Sequence, residues 1–208
     1  MTTREIATPE DIAEGAAYLA SICPVWAATL PGLDLPLRRR PDGFGAILNA
    51  IVGQQISIHA AAAIAGRLEA AGLTDANAIR AAPDEALRAA GLSASKLRYL
   101  RGVAMAEPDW PALRDLPDAA VIDRLVALPG IGRWTAEIYL AFALGRADAF
   151  PAADLALQEA ARALYGLEAR PSPAALIELA EPWRPWRAVA ARGLWAYYRQ
   201  VKGREGIR

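Results

Sequence analysis

Leu128-Pro129-Gly130-Ile131-Gly132-Arg133-Trp134-Thr135-Ala136 joins two helical patterns through a turn that few residues permit. Upstream, Val121, Leu125 and Leu128 recur at i, i+4 and i+7. Downstream, Ala136, Leu140 and Ala143 repeat that spacing, so each flank reads as an amphipathic helix. Between them Pro129 fixes φ, while Gly130 and Gly132 tolerate positive φ and close approach of another backbone, so the chain can reverse within about four residues. The second helix is expected to start near Gly132, with amides that lack intrahelical acceptors at the positive end of its dipole. Such an end suits a phosphate. Taken alone, the stretch is equally a plain tight connection between helices.

The 208 residues allow one good core or two small lobes. Alanine, leucine and arginine dominate, β-branched residues are few and no stretch alternates with period two, so an all-α fold is expected. The start, Met1 to Glu14, is polar and acidic rather than basic then apolar, and no apolar run reaches the roughly 18 residues of a membrane span, so a soluble, cytoplasmic protein without membrane contact is expected. Cys23 is the single cysteine, which excludes an internal disulfide and a cysteine-ligated metal or iron-sulfur cluster within one chain. The formal charge of zero argues mildly against a protein devoted to gripping phosphate. Basic residues nevertheless outnumber acidic ones after Ala160, from Arg162 through Arg192 and Arg199 to Arg204 and Arg208. This is compatible with one basic face or with scattered solvated arginines.

In chain order, Thr8 caps a helix that ends before Pro24, and a Pro/Gly/Arg-rich loop from Pro31 to Gly43 marks a lobe boundary. Phe44, Ile47, Leu48, Ile51 and Val52 form a core-facing stripe. Gly53-Gln54-Gln55-Ile56-Ser57 then places polar amides at a helix junction, either an exposed corner or a functional one, before Ser57 caps a helix to about Ala71. Helices near Asp75 to Ala82 and Pro83 to Ala90 follow, then one capped by Ser93; Glu107 to Pro117 reads as a loop and Asp118 opens the helix into the hairpin. The lone His59 reads as a surface or packed residue. Two sublobes result, residues 44–145 with the hairpin, and residues 1–43 plus 146–208, with an active-site cleft between them.

Phe150-Pro151-Ala152-Ala153-Asp154 sets one carboxylate at the start of a helix to about Tyr165, where it answers the helix dipole as a cap. On the post-hairpin helix Trp134 and Ile138 project opposite the Ala136, Leu140, Ala143 stripe, and on the last helix Trp195 points away from the Trp186, Val189, Ala190, Gly193, Tyr197 stripe. Burial on all sides explains these second apolar surfaces. So does an aromatic-lined cleft, on whose walls an extruded base would stack.

The hairpin and the aspartate that follows it resemble the helix-hairpin-helix DNA glycosylase superfamily. Ile51-Val52-Gly53-Gln54-Gln55-Ile56-Ser57 and Trp183-Arg184-Pro185-Trp186-Arg187 leading to Trp195 are similar to its alkylpurine branch, of the 3-methyladenine DNA glycosylase II kind, in a short form without an amino-terminal β-domain. The resemblance covers roughly Phe44 to Tyr198. It implies Asp154 as catalytic residue; Trp134, Ile138, Trp195 and Gln54 around the base; and Gln55, Gly130, Gly132 and Thr135 on DNA, with Gln55 in the place of a wedge that is often apolar. It also implies a sodium or potassium ion on the backbone carbonyls of Val126, Leu128 and Ile131. Bifunctional relatives carry a Schiff-base lysine where this chain has Trp134, which implies a monofunctional enzyme; its partner would be double-stranded DNA with damaged bases, and monomeric action on one lesion is the simplest expectation. The implied activity is hydrolytic release of 3-methyladenine or 7-methylguanine in base excision repair. The rivals are a glycosylase for deaminated or oxidised bases and a non-catalytic DNA-binding module that uses the hairpin only to hold phosphates.

Overall fold

A computed structural model describes residues 4–203, so Arg204 and Arg208 of the basic tail lie outside the described residues. In chain order the α-helices are α1 (Pro9–Ile22), α2 (Pro24–Thr29), α3 (Phe44–Gly53), α4 (Ile58–Ala70), α5 (Ala76–Ala81), α6 (Asp84–Ala89) and α7 (Ala94–Ala106). They continue with α8 (Asp118–Val126), α9 (Arg133–Tyr139), α10 (Leu155–Tyr165), α11 (Pro173–Ala180) and α12 (Arg187–Lys202). The chain is all-α; no strand occurs among the described residues, and the β feature they contain is an isolated bridge between Glu5 and Arg146. No described helix is long and apolar enough to cross a membrane.

Local signals set most helix starts. Thr8 and Asp11 form a reciprocal capping box on α1, while Ser57, Asp75, Ser93 and Ser172 each accept an amide from the first turn of the helix that follows. The loop expected between Glu107 and Pro117 contains a 3-10 turn over Pro111–Asp115, which seats Leu113 in the core.

The chain divides into two compact units, residues 1–39 with 140–208, and residues 40–139. Both boundaries fall earlier than the sequence suggests, and the post-hairpin helix, whose α-helical part ends at Tyr139, spans the second of them. It continues as a π-helical segment over Leu140–Leu144 and is closed by Gly145 at φ 74°.

The first unit is centred on α12, which packs against α10 and α1. Its core is aromatic: Trp183 meets Trp26 edge-on at 5.4 Å, Phe150 edge-on at 5.9 Å and Tyr165 face to face at 6.0 Å. Asp148 receives a bidentate pair from Arg187, at 2.7 and 2.8 Å, which ties the start of α12 to the loop before α10.

In the second unit α3 packs on α4, α7 and α9, with Phe44, Ile47, Leu48, Ile51 and Val52 buried as their spacing requires. Lys96 is buried and donates from Nζ to the Val52 carbonyl at 2.7 Å, closing the carboxyl end of α3. Tyr139 accepts the Gly43 amide at 2.9 Å and so fastens the other end of α3 to the end of α9.

The hairpin lies between α8 and α9. Gly130 has φ 77°, and a Cβ there would run into the Tyr99 ring. Both the backbone and the space therefore demand glycine. Gly130→Ala is expected to destabilise the chain by about 2–3 kcal/mol, summing αL strain and overpacking, as read from the urea midpoint. A loss of only about 1 kcal/mol would mean that Tyr99 swings away at little cost and the αL strain alone remains.

Candidate functional site

Asp154 stands at the N-cap of α10 with backbone φ −68°, ψ 121°. Its Oδ1 accepts the amides of Ala156 at 2.9 Å and Leu157 at 3.1 Å, and the indole N–H of Trp195 at 3.3 Å. Three donors converging on one oxygen fix the carboxylate's orientation, and 7% exposure keeps it almost dry. The loop that delivers it is fixed as well. The buried amide of Gln158 donates to the Ala152 carbonyl at 2.8 Å, and the Asp154 amide donates to the Pro151 carbonyl at 2.9 Å. A carboxylate held in this way cannot turn to follow a substrate; it presents one fixed charge.

Trp195 comes from α12, in the same unit. It is 2% exposed, tilted at 31° against Phe142 with ring centroids 5.7 Å apart. Read from sequence as a wall on which a base stacks, it is placed by the structure with its N–H on the carboxylate, so its first role is to brace Asp154. Gln158 and the Trp195 N–H are the positioning groups that sequence reasoning missed. Gln158 had a signal, since it lies one turn after Asp154 on α10.

The second unit holds the remaining candidates. Gln54, expected beside the base, donates from Nε2 to the Gly130 carbonyl at 2.9 Å. The polar junction after α3 thus braces the hairpin. Gln55 is exposed and adopts φ 58°, a conformation that costs a long side chain of order 1 kcal/mol. Trp134 is half-buried, while Ile138 is buried in α9. Thr135, expected on DNA, is 5% exposed. Its side chain faces the interior because it sits on the packed side of α9; only its amide, in the first turn, suits an external anion.

Gly132 also differs from expectation. It is exposed and does not have positive φ, and a Cβ there would meet nothing within 4 Å. The fold itself does not require glycine at this position. Its carbonyl accepts the Ala136 amide, so the helix begins there. Of the three carbonyls considered for a monovalent cation, that of Leu128 accepts the Ile131 amide at 3.2 Å, leaving one lone pair. Neutral carbonyl oxygens are the donor type such an ion takes.

Comparison with known proteins extends this picture. Residues 48–185 match the family described as HhH-GPD superfamily base excision DNA repair protein. A Schizosaccharomyces pombe protein named DNA-3-methyladenine glycosylase 1 is 32% identical over 165 residues, which is 75% of this chain and 72% of the relative. The solved structure of the Schizosaccharomyces pombe 3-methyladenine DNA glycosylase Mag1 in complex with abasic DNA superposes with a TM-score of 0.79 at 27% identity, covering 91% of this chain and 97% of that one. The DNA-3-methyladenine glycosidase of Bacillus halodurans superposes with a TM-score of 0.79 at 31% identity, covering 99% and 96%.

Proposed function

The chain belongs to the HhH-GPD superfamily of base excision DNA repair proteins, and on that footing we propose that it is a monofunctional DNA glycosylase acting on alkylated purines. The observation that carries the reading is Asp154, a nearly dry carboxylate with Oδ1 held by three donors. As the N-glycosidic bond lengthens, positive charge grows on the anomeric carbon, and a fixed carboxylate stabilises that charge and orients the attacking water. The base departs with the bonding electron pair, water supplies the hydroxyl to the anomeric carbon, and the water's proton passes to the carboxylate or to solvent. A purine alkylated at N3 or N7 is already cationic and leaves as a neutral base, so a carboxylate without a separate general acid suits this substrate class.

The second unit supplies the grip on double-stranded DNA. Glycine at Gly132, unneeded by the fold, lets a phosphate come against the first amides of α9. The exposed, strained Gln55 serves as the wedge left behind by an extruded nucleotide, and Trp134 offers an aromatic face attractive to a cationic base. A sodium or potassium ion on the hairpin carbonyls would add positive charge toward that phosphate; no step depends on it. The protein would act as a monomer in the compartment that holds the DNA.

Lysine usage supports hydrolysis without strand cleavage. A lyase step needs an amine to form a Schiff base. The lysines are Lys96 and Lys202; Lys96 is buried in the second unit with its Nζ committed to the Val52 carbonyl, while Lys202 ends α12. A pure binding module would need Asp154 only as the cap of α10, for which the Ala156 and Leu157 amides suffice without the Trp195 N–H. The test is incubation of the protein with methylated duplex DNA and, in parallel, with duplexes carrying a deaminated or an oxidised base. Release of 3-methyladenine or 7-methylguanine is expected, with strand breaks appearing only after alkali. Breaks before alkali would overturn the monofunctional assignment; release of deaminated or oxidised bases alone would overturn the substrate class.

A further inference from the structure

Beside Trp195, still within the first unit, the chain gathers the arginines Arg38, Arg39, Arg192 and Arg199. A shallow depression is lined by Pro36, Arg38, Arg192, Trp195 and Arg199. Arg192 is 3% exposed. It donates to the carbonyls of Ala188 at 2.9 Å and of Leu37 and Ala141 at 3.3 Å. Its Nε has no acceptor, nor has the buried Nη1 of Arg39. Arg39, Arg192 and Arg199 enter no ion pair among the described residues, whereas Arg4, Arg162, Arg170, Arg184 and Arg187 of the same unit pair with Glu14, Glu159, Asp148 and Glu181. Burial and the charges of Arg38 and Arg39 push the Arg192 guanidinium down to about 10. Arg38 itself is held at φ 50°, in the left-handed region. Like charges crowded together, one of them buried against carbonyl dipoles and over the Phe142 ring at 4.8 Å, form an arrangement that an anion would relieve.

We infer that this depression is a subsite for a phosphate-class oxyanion, recognised by the guanidinium groups of Arg38, Arg192 and Arg199. Planar guanidinium forks match tetrahedral oxyanions better than ammonium groups do. The anion is either a phosphodiester of a DNA strand or a free phosphate. The first source rests on the function proposed above and gives the subsite a purpose there. Trp195 lines the depression and also holds Asp154, so a strand phosphate seated against the arginines fixes the sugar's backbone relative to the carboxylate.

The test uses Arg38→Gln and Arg199→Gln, which spare the carbonyl bonds of Arg192, with Arg170→Gln as a control at an exposed arginine near Glu159. Binding to an undamaged duplex is measured over a range of salt concentrations, and the Trp195 indole N–H resonance is followed while inorganic phosphate is added. For a strand phosphate, each variant lowers the salt-dependence slope by about one and weakens binding several-fold, while the control leaves the slope unchanged. For a free phosphate, the indole resonance moves on titration in the wild type and not in Arg199→Gln, with slopes unaltered. Unaltered slopes together with an unmoved resonance would overturn the subsite. In that case base release by the wild-type protein from methylated DNA still decides the proposed activity separately.

Discussion

Asp154→Asn is expected to fold as the wild-type chain does and to lose base release by about three orders of magnitude. The two halves of that expectation have different causes. Asparagine is as good an N-cap as aspartate, so an oxygen still accepts the amides of Ala156 and Leu157, and α10 starts where it does now. Stability should change by less than about 0.5 kcal/mol. The charge, however, is gone, and removal of a single preorganised electrostatic group from a dry site costs about 10²–10³ in rate, the upper end applying to a full charge. Asp154→Ala removes cap and charge together and should lose about 1 kcal/mol of stability besides the activity. The pair thus separates a helix-cap role from a catalytic one. The measurement is single-turnover release of the lesion the protein excises most slowly, since a labile cationic base partly leaves unaided and would mask the loss. Near wild-type release by Asp154→Asn would mean that the carboxylate is only a cap.

How much of this could be read from the chain depends on how local each interaction is. Thr8 with Asp11, Ser57, Ser93 and Asp154 were legible because a cap and its amides lie within three residues, and the chemistry of a short oxygen-bearing side chain before an apolar period is nearly unambiguous. The turn Pro129-Gly130 was legible for the same reason: glycine at φ 77° is a backbone demand written in the residue itself. The function of Gln54 was not, since its amide reaches the Gly130 carbonyl across 76 residues and nothing around Gln54 distinguishes a hairpin brace from a base contact. Arg192 was hidden by its type. Arginine on a helix is ordinarily solvated, and only the carbonyls of Leu37 and Ala141, supplied by distant segments, show that this one is buried. The two glycines of the hairpin also separate on inspection: one is required by the fold, whereas the other is required by nothing within the chain.

Trp195 yields the second large effect, and it distinguishes two meanings of one tryptophan. Trp195→Ala removes a side chain that is 2% exposed and packed on Phe142, and it should cost about 3–5 kcal/mol as the core fails to close over the gap. That variant speaks to stability alone. Trp195→Phe is the informative one, since it keeps an aromatic ring beside Phe142 while removing the N–H that reaches Asp154 Oδ1 at 3.3 Å, along with the rest of the five-membered ring. If the residue mattered as a stacking face, phenylalanine would preserve most of the activity, with any loss appearing in KM. A brace behaves otherwise. A hydrogen bond to a charged acceptor is worth about 1.5–3 kcal/mol, and part of that value is spent on keeping the carboxylate in its reactive orientation. The expected result is therefore a fall of about tenfold in kcat with KM nearly unchanged, and a stability loss of about 2–3 kcal/mol that sums the lost hydrogen bond and the gap left by the smaller ring. A kcat equal to that of the wild type would show that the Ala156 and Leu157 amides orient Asp154 by themselves, and that Trp195 serves the site only through its bulk.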